Sequence, residues 1–496
     1  MTDPIVQTRQ GKVRGIAQDG VRCFFGIPYA AAPVGADRFA EPKPHAPWDE
    51  VRDATEVGPN SPQLTKPFPG LDVEPLIGTG WRRGDDFLNV NVWAPDREPA
   101  GPGRPVMVWV HGGGYVIGSN YAAVQDPTGF ARDGIVCFAI NYRLGVEGFL
   151  PIPGIPTNLG LRDILFALGW IRDHARAFGG DPDNITVFGE SAGGMAIANL
   201  VASPLAEGLF RRAIVQSGHG AMVRSLPVAQ RLVRKVAKLL GVAPTEAGFR
   251  SAGPDECVRA VEKVSLPTTR IDLREADGRE PVFGISRFVP VYGDDVLPEK
   301  PIDLLAKGAG AEIELLIGSN REEMNLYLVP TGVRDRIGRL LATYVLHRSQ
   351  PGARKLLKAY GLGPGGKRPG SALTDALHDL VFRWPARRFA ETHRGRTHLY
   401  EFDWRSDAFD GELGASHGME LAFVFDTLAS VSGPQGLAGL GPPQGLADRV
   451  HRLWVRFAQD GSLPWPEYSS ASRMVFSLVQ GAAHPEPVMP AAAFLP

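Results

Sequence analysis

Cysteine is scarce in this chain: three residues, Cys23, Cys137 and Cys257, in 496. They are widely spaced and form no metal-binding motif, which excludes a disulfide-stapled scaffold and points to a reducing compartment. Net charge is nearly absent too. Lys and Arg number 53 against 54 Asp and Glu, and the interspersed signs argue against a nucleic-acid-binding surface or a polybasic membrane patch. No apolar run approaches the roughly 18 residues that cross a bilayer, and residues 1–15 lack a hydrophobic signal core. The expectation is a cytoplasmic protein, bacterial in composition, with no membrane or nucleic-acid partner. No internal repeat is visible.

Glycine, by contrast, is plentiful at 59 residues, and its most informative copies flank a serine. Ile185-Thr-Val-Phe-Gly-Glu-Ser-Ala-Gly-Gly194 reads as an apolar strand passing through Gly-x-Ser-x-Gly into the helix-compatible stretch 192–202. A serine on such a turn has a strained backbone and presents its hydroxyl at a helix N-terminus. Gly189 and Gly193 are small because strand and helix approach closely there. The five-residue pattern alone arises by chance roughly 0.3 to 0.4 times in a chain of this composition, so context decides.

That context lies upstream, where Pro105-Val-Met-Val-Trp-Val-His-Gly-Gly-Gly-Tyr115 is an apolar strand ending in glycines with uncrowded backbone N–H groups. Acyl transfer places negative charge on a former carbonyl oxygen, and each donor preorganised toward it is worth about 2.7–4 kcal/mol. Ser191 is therefore the candidate nucleophile, with Gly113, Gly114 and Ala192 as candidate oxyanion donors.

A nucleophile on this turn has its acid and then its histidine later in the chain, each after its own strand. Ile313-Glu-Leu-Leu-Ile317 is a strand followed by Asn320-Arg-Glu-Glu323. Position alone leaves Glu322 and Glu323 both open, and both also suit a solvated pair opening a helix. His398-Leu-Tyr-Glu-Phe402 is a further strand, with His417 beyond it. Of the 11 histidines, His45, His393, His451 and His484 lie among polar or proline-rich neighbours and read as surface residues. His111 reads as shaping the glycine loop.

Over nearly its whole length the chain resembles the type-B carboxylesterases. Phe25-Gly-Ile-Pro-Tyr-Ala30, Asp85-Asp-Phe-Leu-Asn-Val-Asn-Val-Trp93, Asn141-Tyr-Arg-Leu-Gly145, Phe178-Gly-Gly-Asp-Pro182, Gly318-Ser-Asn-Arg-Glu-Glu323 and Ser416-His-Gly-Met-Glu420 carry the resemblance in the family's order. It implies an α/β fold of the α/β-hydrolase type, a central, mostly parallel twisted sheet flanked by helices. It also implies Glu323 as the acid, His417 as the base, structural ion pairs of Arg38 with Asp85 and Arg143 with Asp163, and Ser217 as a serine near the histidine. Two departures matter. Secreted relatives carry an early loop disulfide where this chain has Ser61 and Phe87. Cholinesterases carry a tryptophan for quaternary ammonium where this chain has Leu76-Ile-Gly78, with Trp81 only nearby, which argues against choline esters.

The expected function is a serine carboxylesterase acting on apolar or aromatic esters through an acyl-enzyme, with no metal or organic cofactor. An ordinary imidazole sets the acid side of its pH profile near 6.5. Glu190 either attracts cationic substrates or is held in a buried hydrogen-bond network. Tyr115 and Tyr121 either line the substrate pocket or pack beneath a cap. Residues 1–496 read as one catalytic domain, with 221–310 and 325–395 as cap insertions bearing helical patterns at 228–240 and 373–389. Glycine- and proline-rich stretches at 95–105, 361–370 and 432–445 read as surface loops. Two rival functions stay open: the same machinery acting on aryl carbamates or amides, and a binding or scaffold protein that keeps the fold without turnover. The oligomeric state is not readable.

Overall fold

The computed structural model describes residues 3–97, 101–280 and 285–495; part of the loop expected at 95–105 lies outside them. An eleven-stranded sheet organises the molecule. Its strands are β1 (Ile16–Gln18), β2 (Val21–Pro28), β3 (Asn89–Pro95), β4 (Arg104–Val110), β5 (Val136–Ile140), β6 (Gly180–Glu190), β7 (Arg212–Gln216), β8 (Glu314–Asn320), β9 (Thr397–Phe402), β10 (Met474–Ser477) and β11 (Ala482–Pro485). In space they run β11-β10-β9-β8-β7-β6-β4-β5-β3-β2-β1. Pairing is parallel from β5 across to β10 and antiparallel at both flanks.

The strand period of two sorts side chains into two cores. Along β4, Val106, Val108 and Val110 enter one core while Met107 and Trp109 enter the other. β6 lies in register, Trp109 opposite Phe188, and divides Val187 from Phe188 in the same way. Parallel strands buried on both faces require helices on both. Helices α1 (Leu159–His174) and α2 (Ala192–Val201) feed the first core, and the long helix Gln444–Asp460 feeds the second through Trp454. Chain order reverses between β4 and β6: β5 follows β4 on one side and β6 returns to the other. Crevices at such reversals, beyond the carboxyl ends of the strands, are where open α/β sheets bind ligands.

Residues 221–310 contribute α3 (Leu226–Leu240) and α4 (Pro254–Ser265), and residues 325–395 contribute α5 (Arg339–Ser349) among shorter helices. The pattern at 373–389 is not one helix. It comprises Pro369–Leu377, a π turn over His378–Arg383 and a helix over Trp384–Thr392. Pro385 has no N–H to close an α turn, and the wider turn absorbs the loss.

Arg143 and Asp163 form the expected buried fork, Nη2 to Oδ1 at 2.6 Å and Nε to Oδ2 at 2.8 Å. Arg38 does not pair with Asp85. Its side chain points inward to Glu147, Nε to Oε1 at 2.9 Å, and donates to the Ala252 carbonyl, while Asp85 is exposed on the surface. His393 and His451 are buried rather than on the surface. His393 finds Thr397 Oγ1 and the Gly310 carbonyl; His451 finds the Val424 carbonyl and packs at a tilt against Phe130. Rings whose nitrogens find polar partners can be buried at little cost. Ser61, at one of the disulfide positions of secreted relatives, donates to the Tyr142 carbonyl, and all three cysteines are free and buried. Among the described residues no helix is long and apolar enough to cross a membrane.

Candidate active site

Strand β6 ends at Glu190 and α2 begins at Ala192, so Ser191 takes the whole reversal at φ 54° and ψ −123°. That conformation costs a non-glycine residue of order 1–3 kcal/mol and persists only when its surroundings enforce it. Here they do. Ser191 N–H donates to the Gln216 carbonyl at 2.9 Å and its own carbonyl accepts from Met195 N–H at 2.8 Å. A Cβ on Gly193 would stand 2.0 Å from the Val110 carbonyl oxygen, and one on Gly189 would stand 2.5 Å from the same atom. The flanking glycines are small because β4, β6 and α2 meet at this point.

The glycine loop after β4 lies against the serine: a Cβ on Gly112 would be 3.1 Å from Ser191 Cβ. Gly113 and Gly114 take φ values of 101° and 63°. Their carbonyls are tied back, Gly113 O to the N–H groups of Val116 and Ile117 and Gly114 O to Ser286 Oγ. Among the described residues nothing accepts from the N–H groups of Gly113 and Gly114, and Ala192 N–H is one of the open donors of the first turn of α2. His111 anchors this loop. It is buried, stacks on Tyr142 at 4.5 Å, and burial lowers its pKa to about 4.

His417 lies at the same strand ends, buried between the rings of Phe382 and Tyr327. Its Nδ1 meets Glu323 Oε2 at 2.6 Å, and its backbone N–H donates to the Glu323 carbonyl. Of the two glutamates that position left open, Glu323 touches the histidine. Glu322 turns the other way and clasps the histidine loop, its N–H donating to the Ala415 carbonyl at 2.9 Å and its Oε2 accepting from Ala415 N–H at 3.0 Å, with Arg405 on Oε1.

The other imidazole nitrogen is less settled. Nε2 lies 3.1 Å from Glu190 Oε1, but the two are not aligned for a hydrogen bond, and both atoms are buried without a hydrogen-bond partner. Burial by itself favours the neutral ring, but Glu190 and then Glu323 outweigh it and push the His417 pKa up to about 9. Burial pushes the Glu190 carboxyl up, His417 pulls it down, and Glu420 and Glu323 add to the rise. Glu190 thus sits inside the charged cluster.

Several members of this cluster escape a motif reading. Asn320 N–H donates to Glu323 Oε1 at 2.8 Å, and its Nδ2 donates to the Ser416 carbonyl and to Glu420 Oε2. Glu420 also accepts from Gln216, whose own carbonyl holds the Ser191 N–H. His378, on the π turn, accepts from Met324 N–H at 3.0 Å, and Phe382 on the same turn supports the His417 ring. The available signal was spacing: Asn320 precedes Glu323 by three residues and Glu420 follows His417 by three. Ser217 is buried beside Gln216 at φ 47°, its hydroxyl unpartnered.

Ser191, His417, Glu190 and Gly112 to Gly114 face one cavity of about 400 Å³. Its wall is mostly apolar and includes Leu76, Ile77 and Leu326 together with Val258 and Val261 of α4. Tyr115 does not line it but is buried against Phe149 at 4.3 Å; Tyr121 is half exposed, edge-on to Phe25. Trp81 is absent from the wall and lies under Arg83. Among the described residues no cluster of His, Cys, Asp and Glu could hold a metal ion.

A comparison with known proteins accords with this arrangement. The carboxylesterase family matches residues 2–485. The para-nitrobenzyl esterase of Bacillus subtilis (strain 168) is 35% identical over 486 residues, covering 95% of this chain and 94% of that one. The phenmedipham hydrolase of Pseudarthrobacter oxydans is 33% identical over 490 residues, covering 94% and 93%. A solved PNB esterase superposes with a TM-score of 0.85 at 31% identity over 100% of both chains. The Geobacillus stearothermophilus carboxylesterase EST55 at pH 6.2 gives 0.82 at 31% identity over 99% of both.

Proposed function

This chain belongs to the carboxylesterase family and is a carboxylic ester hydrolase of type B; on that premise we propose that Ser191, His417 and Glu323 carry its reaction. The hydroxyl of Ser191 attacks the ester carbonyl while His417 Nε2 takes its proton. Glu323, on Nδ1, holds the tautomer and stabilises the imidazolium. The N–H groups of Gly113, Gly114 and Ala192 receive the oxyanion. The alcohol leaves with the proton from Nε2, and the same nitrogen then activates water against the acyl-enzyme. The residues need no metal or organic cofactor for these steps.

One observation carries the reading: a buried imidazole, fixed on Nδ1 and without a hydrogen bond on Nε2, shares a cavity with a serine held at a strained strand-to-helix turn. The mostly apolar wall supports esters with apolar or aromatic groups of short to medium length. Residues 221–310 and 325–395 act as caps on a single catalytic domain, since α4 and Leu326 supply part of that wall. The free thiols fit the cytoplasm.

The test is p-nitrophenyl butyrate hydrolysis by wild type and Ser191→Ala, beside a panel of matched phenyl esters, phenylcarbamates and anilides. The variant should lose about a thousandfold or more while staying folded, and the phenyl ester should be the fastest substrate in the panel. Equal rates in both proteins would remove Ser191 as nucleophile, and a faster carbamate would replace the ester reading.

A further inference from the structure

The near-neutral charge of the whole chain conceals a local segregation. Between residues 333 and 370 there are nine Lys and Arg and a single acid, Asp335. That segment carries a formal +8 in a chain of −1, leaving −9 on the remainder. Arg336, Arg339, Arg354, Lys355 and Lys358 are all exposed, and among the described residues none of them has an ion-pair partner.

Helix α5 lies within this segment and is apolar on two faces. One face, Ala342, Leu346 and Ser349, is buried. The other is not: Leu340 is 86% exposed, Tyr344 61% and Leu341 48%. These three side chains lie at i, i+1 and i+4, with the exposed Arg336 and Arg339 before them. A single exposed leucine needs no explanation, but an apolar cluster rimmed by cations on one helix marks a surface with a partner.

We infer that the exposed face of α5 docks this protein peripherally on an anionic lipid surface. Such a surface offers both things the patch lacks, negative headgroups for the arginines and lysines and an apolar layer just beneath for Leu340, Leu341 and Tyr344. A second copy of this chain meeting the patch face to face would set the exposed Arg336 and Arg339 against the same like-charged residues. Nucleic acid would satisfy the cations and leave the leucines in water. The contact is superficial, since no helix among the described residues is long enough to span.

The end of α5 also touches the chain that leads away from the cavity wall. Arg348 Nη2 donates to the Ile271 carbonyl and Glu280 N–H donates to the Ser349 carbonyl, so the end of α5 holds the segment that follows Leu266 and Pro267 in the cavity wall. The inference stands independently of the roles proposed for Ser191, His417 and Glu323.

The experiment is co-sedimentation of the full chain with phosphatidylcholine vesicles, with or without about 30 mol% phosphatidylserine. Two variants accompany it, Leu340→Ser/Leu341→Ser/Tyr344→Ser and Arg336→Gln/Arg339→Gln/Lys355→Gln/Lys358→Gln. The wild type should bind only the anionic vesicles and be released as salt rises from about 0.05 to about 0.5 M. Each variant should bind about tenfold more weakly or worse, while keeping wild-type melting temperature and p-nitrophenyl butyrate hydrolysis in solution. Failure of the wild type to bind anionic vesicles overturns the inference. So does unimpaired binding by the serine variant, equal binding to duplex DNA, or a wild-type dimer that the serine variant loses.

Discussion

Replacing Glu190 by glutamine should move the acid side of the pH profile downward. His417 Nε2 stands 3.1 Å from Glu190 Oε1 with both groups buried, and this carboxylate is the largest influence raising the imidazole pKa to about 9. Opposite unit charges at 3.1 Å attract by roughly 5 kcal/mol at an effective dielectric of about 20. The realised effect is smaller, because Glu190 itself holds its proton more tightly than an ordinary carboxyl and the two groups titrate as a pair. An opposite charge at such range shifts a pKa by about one to three units. The glutamine keeps the shape and removes the charge, so we expect a fall of about one to two units.

The sign follows from the direction of the shift. A raised imidazole stays protonated to higher pH, so the wild type loses its base form early as pH falls. Its acid limb then lies above the 6.5 of an ordinary histidine, which was the expectation from residue type alone. Without Glu190 the base form survives to lower pH. The assay is kcat/KM for p-nitrophenyl butyrate from about pH 5 to about pH 10, since that ratio reports groups of the free enzyme. A wild-type limb at or below 6.5, or a Glu190→Gln limb that coincides with wild type, refutes the reasoning.

Two further substitutions test the framework around the serine. Gly193→Ala puts a Cβ 2.0 Å from the Val110 carbonyl oxygen, a backbone atom in the middle of the sheet that cannot move aside. It should cost about 2 kcal/mol or more in urea unfolding, and an unchanged midpoint would mean that α2 shifts freely. Glu322→Ala removes the acceptor for Ala415 N–H and the partner of Arg405. It should lower kcat about ten- to a hundredfold with little change in KM, through drift of the histidine loop. Glu322→Gln, which keeps the acceptor oxygen, should restore most of the activity; equal loss in both variants would point to the Arg405 ion pair instead.

What could be read from the chain followed the range of the physics involved. The strands at 105–110, 185–190, 313–317 and 398–402 announced themselves as short, largely apolar stretches, the pattern of parallel strands buried on both faces. The turn at Ser191 was legible for a related reason: the steric demand for Gly189 and Gly193 arises within a few residues of the serine. Glu323 and His417 were reached only through motifs shared with a family, since nothing local distinguishes Glu323 from Glu322. The distinction is made 94 residues away in sequence, where Nδ1 of His417 meets one carboxylate and Ala415 N–H meets the other.

Charge was the quantity least recoverable without coordinates, and in both directions. Arg38 and Asp85 looked like partners, but whether a charge pairs depends on which way its side chain points, and Arg38 turns inward to Glu147. At Glu190, three carboxylates and one imidazole from β6, the loop after β8 and the loop after β9 come together, so the perturbation belongs to the cluster and to no single segment. Composition hides charge in a second way. A net charge of −1 satisfies the argument against a polybasic surface only if the signs are mixed on the scale of a Debye length, about 8–10 Å in ordinary buffers. Residues 333–370, with nine Lys and Arg and one acid, do not mix their signs along the chain, and the docking face proposed on α5 rests on that local excess. An average over the chain cannot see a patch, because interfaces respond to the charge within a screening length of them.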